Sequence, residues 1–219
     1  MYIRIILKDK GEIMKNNILS SVPTLEEAKL ILKEAEGLNP GPWVEHSKYT
    51  GQAARLIAEN IEGLNSEVAE VLGMLHDIGR RVGVYKIRHS IDGYNYAMEK
   101  GYSLLARVCI THSFPYKNIN IILDEWDSTE ENFNFLKKYL EEVEFDDYDK
   151  LIQLCDALAL PSGFCLLEKR MVDVALRYGV NELTIPKWKA TFQLKDYFEE
   201  KMNKSIYNVL PNIAQNTFK

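Results

Sequence analysis

The sequence predicts an all-α protein on three observations. Apolar residues recur at helical spacing in one segment after another, no stretch beyond residue 20 alternates with period two, and capping residues followed by glycines punctuate the chain at helix-length intervals. Together they imply a single helical bundle over residues 21–180. Residues 181–219 form a C-terminal helical extension that caps the same bundle, and residues 1–20 form an N-terminal arm.

The arm has two readings. Lys10-Gly-Glu-Ile-Met14 is encodable by a purine-rich stretch resembling a ribosome-binding site, which puts the native start at Met14. Otherwise residues 1–13 are a short edge strand or a disordered arm. After it, Thr24 with Glu27 makes a capping box for a first helix that stops at Gly37, and Asn39-Pro-Gly-Pro42 follows as a rigid loop. A second helix starts at Trp43, carries His46 in its first turn and stops at Gly63. Asn65 or Ser66 caps a third, through Val68, Val71, Leu72 and Leu75, which carries His76 and Asp77 and ends at Gly79.

Arg80, Arg81, Lys86 and Arg88 cluster in the next loop. A fourth helix runs from His89 to Lys100, and a fifth from Leu104 to Thr111 ends at His112, before Phe-Pro forces a turn. Ser128 with Glu131 is a second capping box, opening an amphipathic surface helix with a solvated acidic face. From Asp147 another helix, apolar almost all round, carries Asp156 and ends before Pro161. One more closes at Gly179, and the last long helix enters near Thr184 with Trp188, Phe192, Tyr197 and Met202 at roughly helical spacing, Trp188 and Phe192 on one stripe. That stripe suits either an intramolecular cap or a homodimer contact.

Composition excludes several classes. With 219 residues, 46% hydrophobic, 27% charged and a net charge of -5, this is an ordinary globular chain without the basic excess that broad nucleic-acid binding needs. It has no apolar run of about 18 residues, so no membrane span is expected. Cys109, Cys155 and Cys165 lie in apolar runs without CxxC spacing and read as free thiols of a reducing, cytoplasmic protein.

Three helices share one design, an apolar body holding a polar residue that a core does not tolerate unaided: His76-Asp77, His112 and Asp156. An ionised carboxylate buried without a partner is costly, so Asp156 needs a metal, an arginine or a histidine. All four histidines, His46, His76, His89 and His112, fall at or near helix ends, where imidazoles converge. Imidazole and carboxylate without thiolate suit one or two divalent ions, iron, manganese or zinc, and such ions activate water and hold phosphoryl oxygens.

The order His46, then His76-Asp77, then Asp156, with the words "WVEHSKYTGQAARLIAE", "GMLHDIGR" and "LCDALALP", resembles the HD superfamily of metal-dependent phosphohydrolases over residues 43 to 177. His89 and His112 between them are similar to its binuclear subset. That resemblance implies His46, His76, Asp77 and Asp156 on one metal, with Asp77 bridging to a second held by His89 and His112. It implies a small phosphorylated substrate, a nucleotide in the leading reading; Asp77 as metal bridge, Arg80 as phosphate clamp and His89 are taken as the catalytic residues. Two alternatives stand beside it, a mixed-valent di-iron oxygenase and a non-catalytic nucleotide-sensing module.

The chain departs from that family's pattern in two respects. Some members place a glutamate acid just after the histidine-aspartate pair, whereas Ile78-Gly79-Arg80 follows here. Arg80 is then better placed as a phosphate clamp, and Arg81 beside it is a second candidate. His89 follows Asp77 closely and reads as a second-metal ligand, a general acid or a plain helix-start residue. Lys86, Arg88, Lys117, Lys169, Arg170 and Arg177 are weaker candidates for substrate phosphates.

Overall fold

The computed structural model describes residues 18–122 and 126–218. The Met14 start and almost all of the 1–20 arm lie outside them. In chain order the helices are α1 (Leu25–Leu38), α2 (Pro42–Ala58), α3 (Ser66–Leu75), α4 (Arg88–Glu99), α5 (Ser103–Thr111), α6 (Glu130–Glu142) and α7 (Asp147–Leu158). They are followed by α8 (Leu167–Tyr178), α9 (Thr184–Met202), α10 (Ile206–Val209) and α11 (Ile213–Thr217). The only strands among the described residues are a two-residue hairpin, β1 (Ala159–Leu160) antiparallel to β2 (Gly163–Phe164), with Ala159 opposite Phe164. The protein is all-α, as the periodicity predicts.

α3 is the axis of the bundle. Seven of its ten residues are buried, among them Val68, Val71, Leu72, Met74 and Leu75, and each large apolar side chain withdrawn from water contributes about 1.5–3 kcal/mol. α2 packs against α3 through facing glycines: a Cβ on Gly73 would stand 2.7 Å from the Gly51 Cα, and one on Gly51 would stand 2.7 Å from the Glu70 carbonyl oxygen. Only residues without a side chain allow that approach. α7 lies against α2, α3 and α5, and α9 lies against α7.

Two apolar clusters result. The larger gathers α1, α2, α3, α7 and the inner residues of α9, including Phe198 and Met202, while the smaller joins Ile87, Ile91, Ile110 and Phe114 to Leu136 and Leu140 of α6. The seam between the clusters runs through α4 and α5, which carry His89 and His112.

Several boundaries differ from expectation, each for a local reason. α3 does not carry His76 and Asp77 to a stop at Gly79. It ends at Leu75, where the His76 ring donates to the Gly73 carbonyl at 2.7 Å, the acceptor to which the Asp77 N–H would otherwise donate. Gly79 lies inside a 3-10 turn, Ile78–Val82, where a Cβ would overlap the His89 carbonyl. It is therefore the contact point between this turn and α4 rather than a helix stop.

α2 ends at Ala58 instead of Gly63 by the same device, the Asn60 side chain donating to the Leu56 carbonyl at 2.9 Å. α6 is capped by Thr129, which accepts from the Asn132 N–H, so the Ser128–Glu131 box is displaced by one residue. α1 keeps its Thr24–Glu27 box but ends at Leu38, one residue past Gly37.

Candidate metal centre

Five of the six predicted ligands are buried, and Asp156 retains 28% side-chain exposure. His46 comes from the first turns of α2, His76 from the cap of α3, and Asp77 from the step into the 3-10 turn. His89 is the second residue of α4, His112 caps α5, and Asp156 sits in the last turn of α7. The bundle brings all six together.

The imidazoles share one orientation. His46 Nδ1 faces the Ala159 carbonyl at 3.2 Å, His76 Nδ1 faces that of Gly73 at 2.7 Å, and His112 Nδ1 faces that of Val108 at 3.2 Å. His89 Nδ1 faces the Lys86 carbonyl. A carbonyl only accepts, so each Nδ1 carries a proton, and each Nε2 is turned to the interior. Backbone partners of this kind are what fix a metal-binding histidine.

The Nε2 atoms meet the two carboxylates. His46 Nε2 is 2.9 Å and His76 Nε2 3.7 Å from Asp156 Oδ1, and His76 Nε2 is 3.9 Å from Asp77 Oδ2. Asp77 Oδ1 lies 3.0 Å from His89 Nε2 and 3.6 Å from His112 Nε2. His89 and His112 face each other, Nε2 to Nε2, at 3.2 Å. Two overlapping triads, His46, His76, Asp156 and His76, Asp77, His112, each offer ligand atoms within 4.8 Å of one another.

Burial alone would drive both carboxylates toward their neutral forms. Arg80, His89 and His76 outweigh it at Asp77, and His46 and His76 outweigh it at Asp156, so both stay well below the usual carboxylate range. Burial also opposes charge on His76, yet Asp77 and Asp156 raise it overall. His112 goes the other way, pushed down to about 3 by burial and by His76, and is neutral at ordinary pH.

The donor set fits a divalent metal. His76 Nε2 and Asp77 Oδ1 are buried and make no hydrogen bond, and they are two of the atoms on which the triads converge. Orphaned buried polar atoms are rare unless something else satisfies them, and an ion between imidazole nitrogens and carboxylate oxygens does so.

The basic candidates divide. Arg80 stays at the centre, its Nε donating to Asp77 Oδ2 at 2.6 Å and its guanidinium also reaching the Tyr85 carbonyl at 3.1 Å. Arg81 is engaged elsewhere, with Glu34 at 2.7 Å and stacked over Tyr96. Arg88 pairs with Asp92, Lys117 with Glu144 and Arg177 with Asp173, while Lys169 reaches the Asn216 and Thr217 carbonyls.

Sequence reasoning missed three contributors. The β1 hairpin supplies the carbonyl that orients His46, and nothing in Ala159-Leu-Pro161 announces a strand. Asp149, in the first turn of α7, is wholly buried, accepting from the Thr111 hydroxyl at 2.7 Å and from Arg107. Lys187 feels the Asp156 charge, which draws its pKa up against the burial that lowers it overall, and its only sequence signal is its spacing from Thr184 and Thr191.

A histidine-aspartate cluster that could hold metal, set at the helix ends of an all-α bundle, defines the class. The HD domain family matches residues 43–160, more than half of the chain, and the protein belongs to that family, a metal-dependent hydrolase superfamily whose domain typically binds divalent metal. Comparison with curated proteins and with solved structures gave no match.

Proposed function

We propose that the protein is a metal-dependent phosphohydrolase that cleaves a phosphoester or phosphoanhydride of a small molecule, a nucleotide by preference. The observation that carries this reading is the shared orientation of the four imidazoles, which turns four Nε2 atoms onto two ionised carboxylates. His46, His76, Asp77 and Asp156 would hold one divalent ion, and Asp77, His89 and His112 a second. When bound, such ions supply Lewis acidity at the phosphoryl oxygens and activate water.

The chain's own residues do the rest. Arg80 holds Asp77 through Nε and Tyr85 through one terminal nitrogen, which leaves its other terminal nitrogen for a phosphoryl oxygen. Carbonyls on every Nδ1 keep the rings from turning as charge develops, which favours preorganised stabilisation. Since His89 has both nitrogens engaged, ligation suits it better than general acid catalysis. A homodimer is compatible with this reading and is not required by it.

The test is phosphate release from a panel of nucleotides and sugar phosphates by protein purified without chelator, with metal counted per chain. Asp77→Ala is expected to lose turnover and bound metal together. Substrate-dependent oxygen uptake without phosphate release would overturn the proposal in favour of an oxygenase.

A further inference from the structure

α4 enters the centre without a cap of its own. Ile87 occupies its N-cap position and makes no side-chain hydrogen bond, so the first N–H groups of the helix need acceptors from elsewhere. Asp127, just ahead of α6, supplies them: Oδ2 takes the Lys86 N–H at 2.5 Å and Oδ1 takes the Arg88 N–H at 3.0 Å. A carboxylate at a helix N-terminus also meets the positive end of the helix dipole. Asp127 is itself braced. Trp126 before it donates through Nε1 to the Thr129 carbonyl at 2.9 Å and meets Phe133 of α6 edge-on, with ring centroids 5.1 Å apart. The Ser128 hydroxyl after it accepts from the Asn132 side chain of α6 at 2.7 Å. Ile87, between the two held amides, is buried with Leu136 and Leu140 of α6 in the smaller apolar cluster.

The two amides on Asp127 bracket the two carbonyls that aim the site. The Lys86 N–H and the Tyr85 carbonyl belong to one planar, trans peptide group, so they point in opposite directions. Fixing that N–H turns the Tyr85 carbonyl to Arg80, whose terminal nitrogen donates to it at 3.1 Å while its Nε holds Asp77 at 2.6 Å. The next carbonyl, that of Lys86, accepts from His89 Nδ1, which leaves His89 Nε2 3.0 Å from Asp77 Oδ1 and 3.2 Å from His112 Nε2. One peptide further on, the Arg88 N–H is on Asp127 and the Ile87 carbonyl accepts from the Ser90 N–H at 3.0 Å. The peptide of the Lys86 carbonyl therefore lies between two held peptides, and its direction follows from theirs.

The other three imidazoles take their carbonyls from regular structure, Gly73 in α3, Val108 in α5 and Ala159 in β1. His89 takes its carbonyl from a loop, and a loop carbonyl needs a holder. We propose that Asp127 is a positioning residue of the centre, acting through the 85–88 turn on His89 and the terminal nitrogen of Arg80, and so on the second ion and not the first. The Nε bond of Arg80 to Asp77 lies outside the turn, and His46, His76 and Asp156 are oriented by other elements. This rests on the two-ion arrangement proposed above and adds a residue to it.

The experiment is calorimetric titration of the full chain with manganese(II) after removal of resident metal, together with proton–nitrogen spectra of the imidazoles. Wild type is expected to take two ions, and Asp127→Ala to weaken one of them about tenfold or more while leaving the other within about threefold. In the metal-free protein the hydrogen-bonded Nδ1–H resonance of His89 should be lost to exchange with water in Asp127→Ala, while those of His46, His76 and His112 persist. Asp127→Asn keeps one acceptor oxygen and should fall between, and it reads the same effect if Asp127→Ala fails to fold. In a His89→Ala background, Asp127→Ala should change manganese binding by less than about threefold, because its route to the ion is gone, whereas a purely structural role would weaken binding as before. Equal weakening of both ions, unaltered manganese binding in both variants, or a single ion in the wild type overturns the proposal. A chain that releases phosphate from no substrate, yet loses its second ion and the His89 resonance in Asp127→Ala, overturns the hydrolase reading and leaves the role of Asp127 standing.

Discussion

The Nε2 atoms of His89 and His112 face each other at 3.2 Å while both Nδ1 atoms are committed to backbone carbonyls. With each Nδ1 proton donated to a carbonyl, the two rings turn their Nε2 atoms to each other and to Asp77 Oδ1, an arrangement that suits a shared cation. The pair, with Asp77 Oδ1 beside it, is the geometric basis for expecting a second metal. Metal analysis of native protein should give two ions per chain. His112→Ala and His89→Ala should each reduce that to one and lower kcat about a hundredfold or more, whereas Asp77→Ala should remove both.

In metal-free protein, His112 makes stability depend on pH. Its folded value lies near 3, against about 6.5 for an unperturbed histidine. Between these values the unfolded chain binds a proton that the folded chain does not, so stability falls as pH drops from about 6.5 toward 3 and is flat for this group above 6.5. Asp77 and Asp156, held low in the folded state, steepen the loss below pH 4. Urea unfolding of chelator-treated protein at pH 7.5, 6 and 5 should show the decline, and His112→Gln should flatten it.

The crossing of α2 over α3 depends on Gly51 and Gly73. Gly73→Ala forces a methyl to within 2.7 Å of the Gly51 Cα and 2.8 Å of the Thr50 carbonyl, and should cost about 1–3 kcal/mol by pushing the helices apart. Because His46 and His76 flank that crossing with ring centroids 5.3 Å apart, metal affinity should fall as well. Gly37→Ala is the control: nothing lies within 4 Å of the added methyl in α1, and it should stabilise by about 0.5 kcal/mol. Equal effects of the two substitutions would remove the packing explanation.

Asp149 ties α5 to α7 one residue before His112, through the Thr111 hydroxyl and Arg107, while Gln153 donates to the Thr111 carbonyl at 3.1 Å. Asp149→Ala leaves Arg107 without this partner and should cost about 3–5 kcal/mol, measured by denaturant unfolding. Asp149→Asn keeps an acceptor for Thr111 and should cost less.

The helices were legible because burying one face imposes a period that any chain must obey, and α1, α4, α5 and α7 begin within a residue or two of where their patterns place them. Local competition moved the other boundaries: the His76 ring and the Asn60 amide each took a carbonyl that the helix needed. By residue type and order alone, the sequence determined the class of fold, the HD family and the six residues that converge. Tertiary structure decided which imidazole nitrogen faces inward, that Arg80 grips Asp77 while Arg81 turns away to Glu34, and that Lys187 arrives from a helix thirty residues beyond Asp156. Ligand identity is written in side-chain chemistry, but the direction of a ring or an ammonium depends on carbonyls and helices that meet only when the bundle closes, as His76-Asp77 needs α2, α4, α5 and α7 around it.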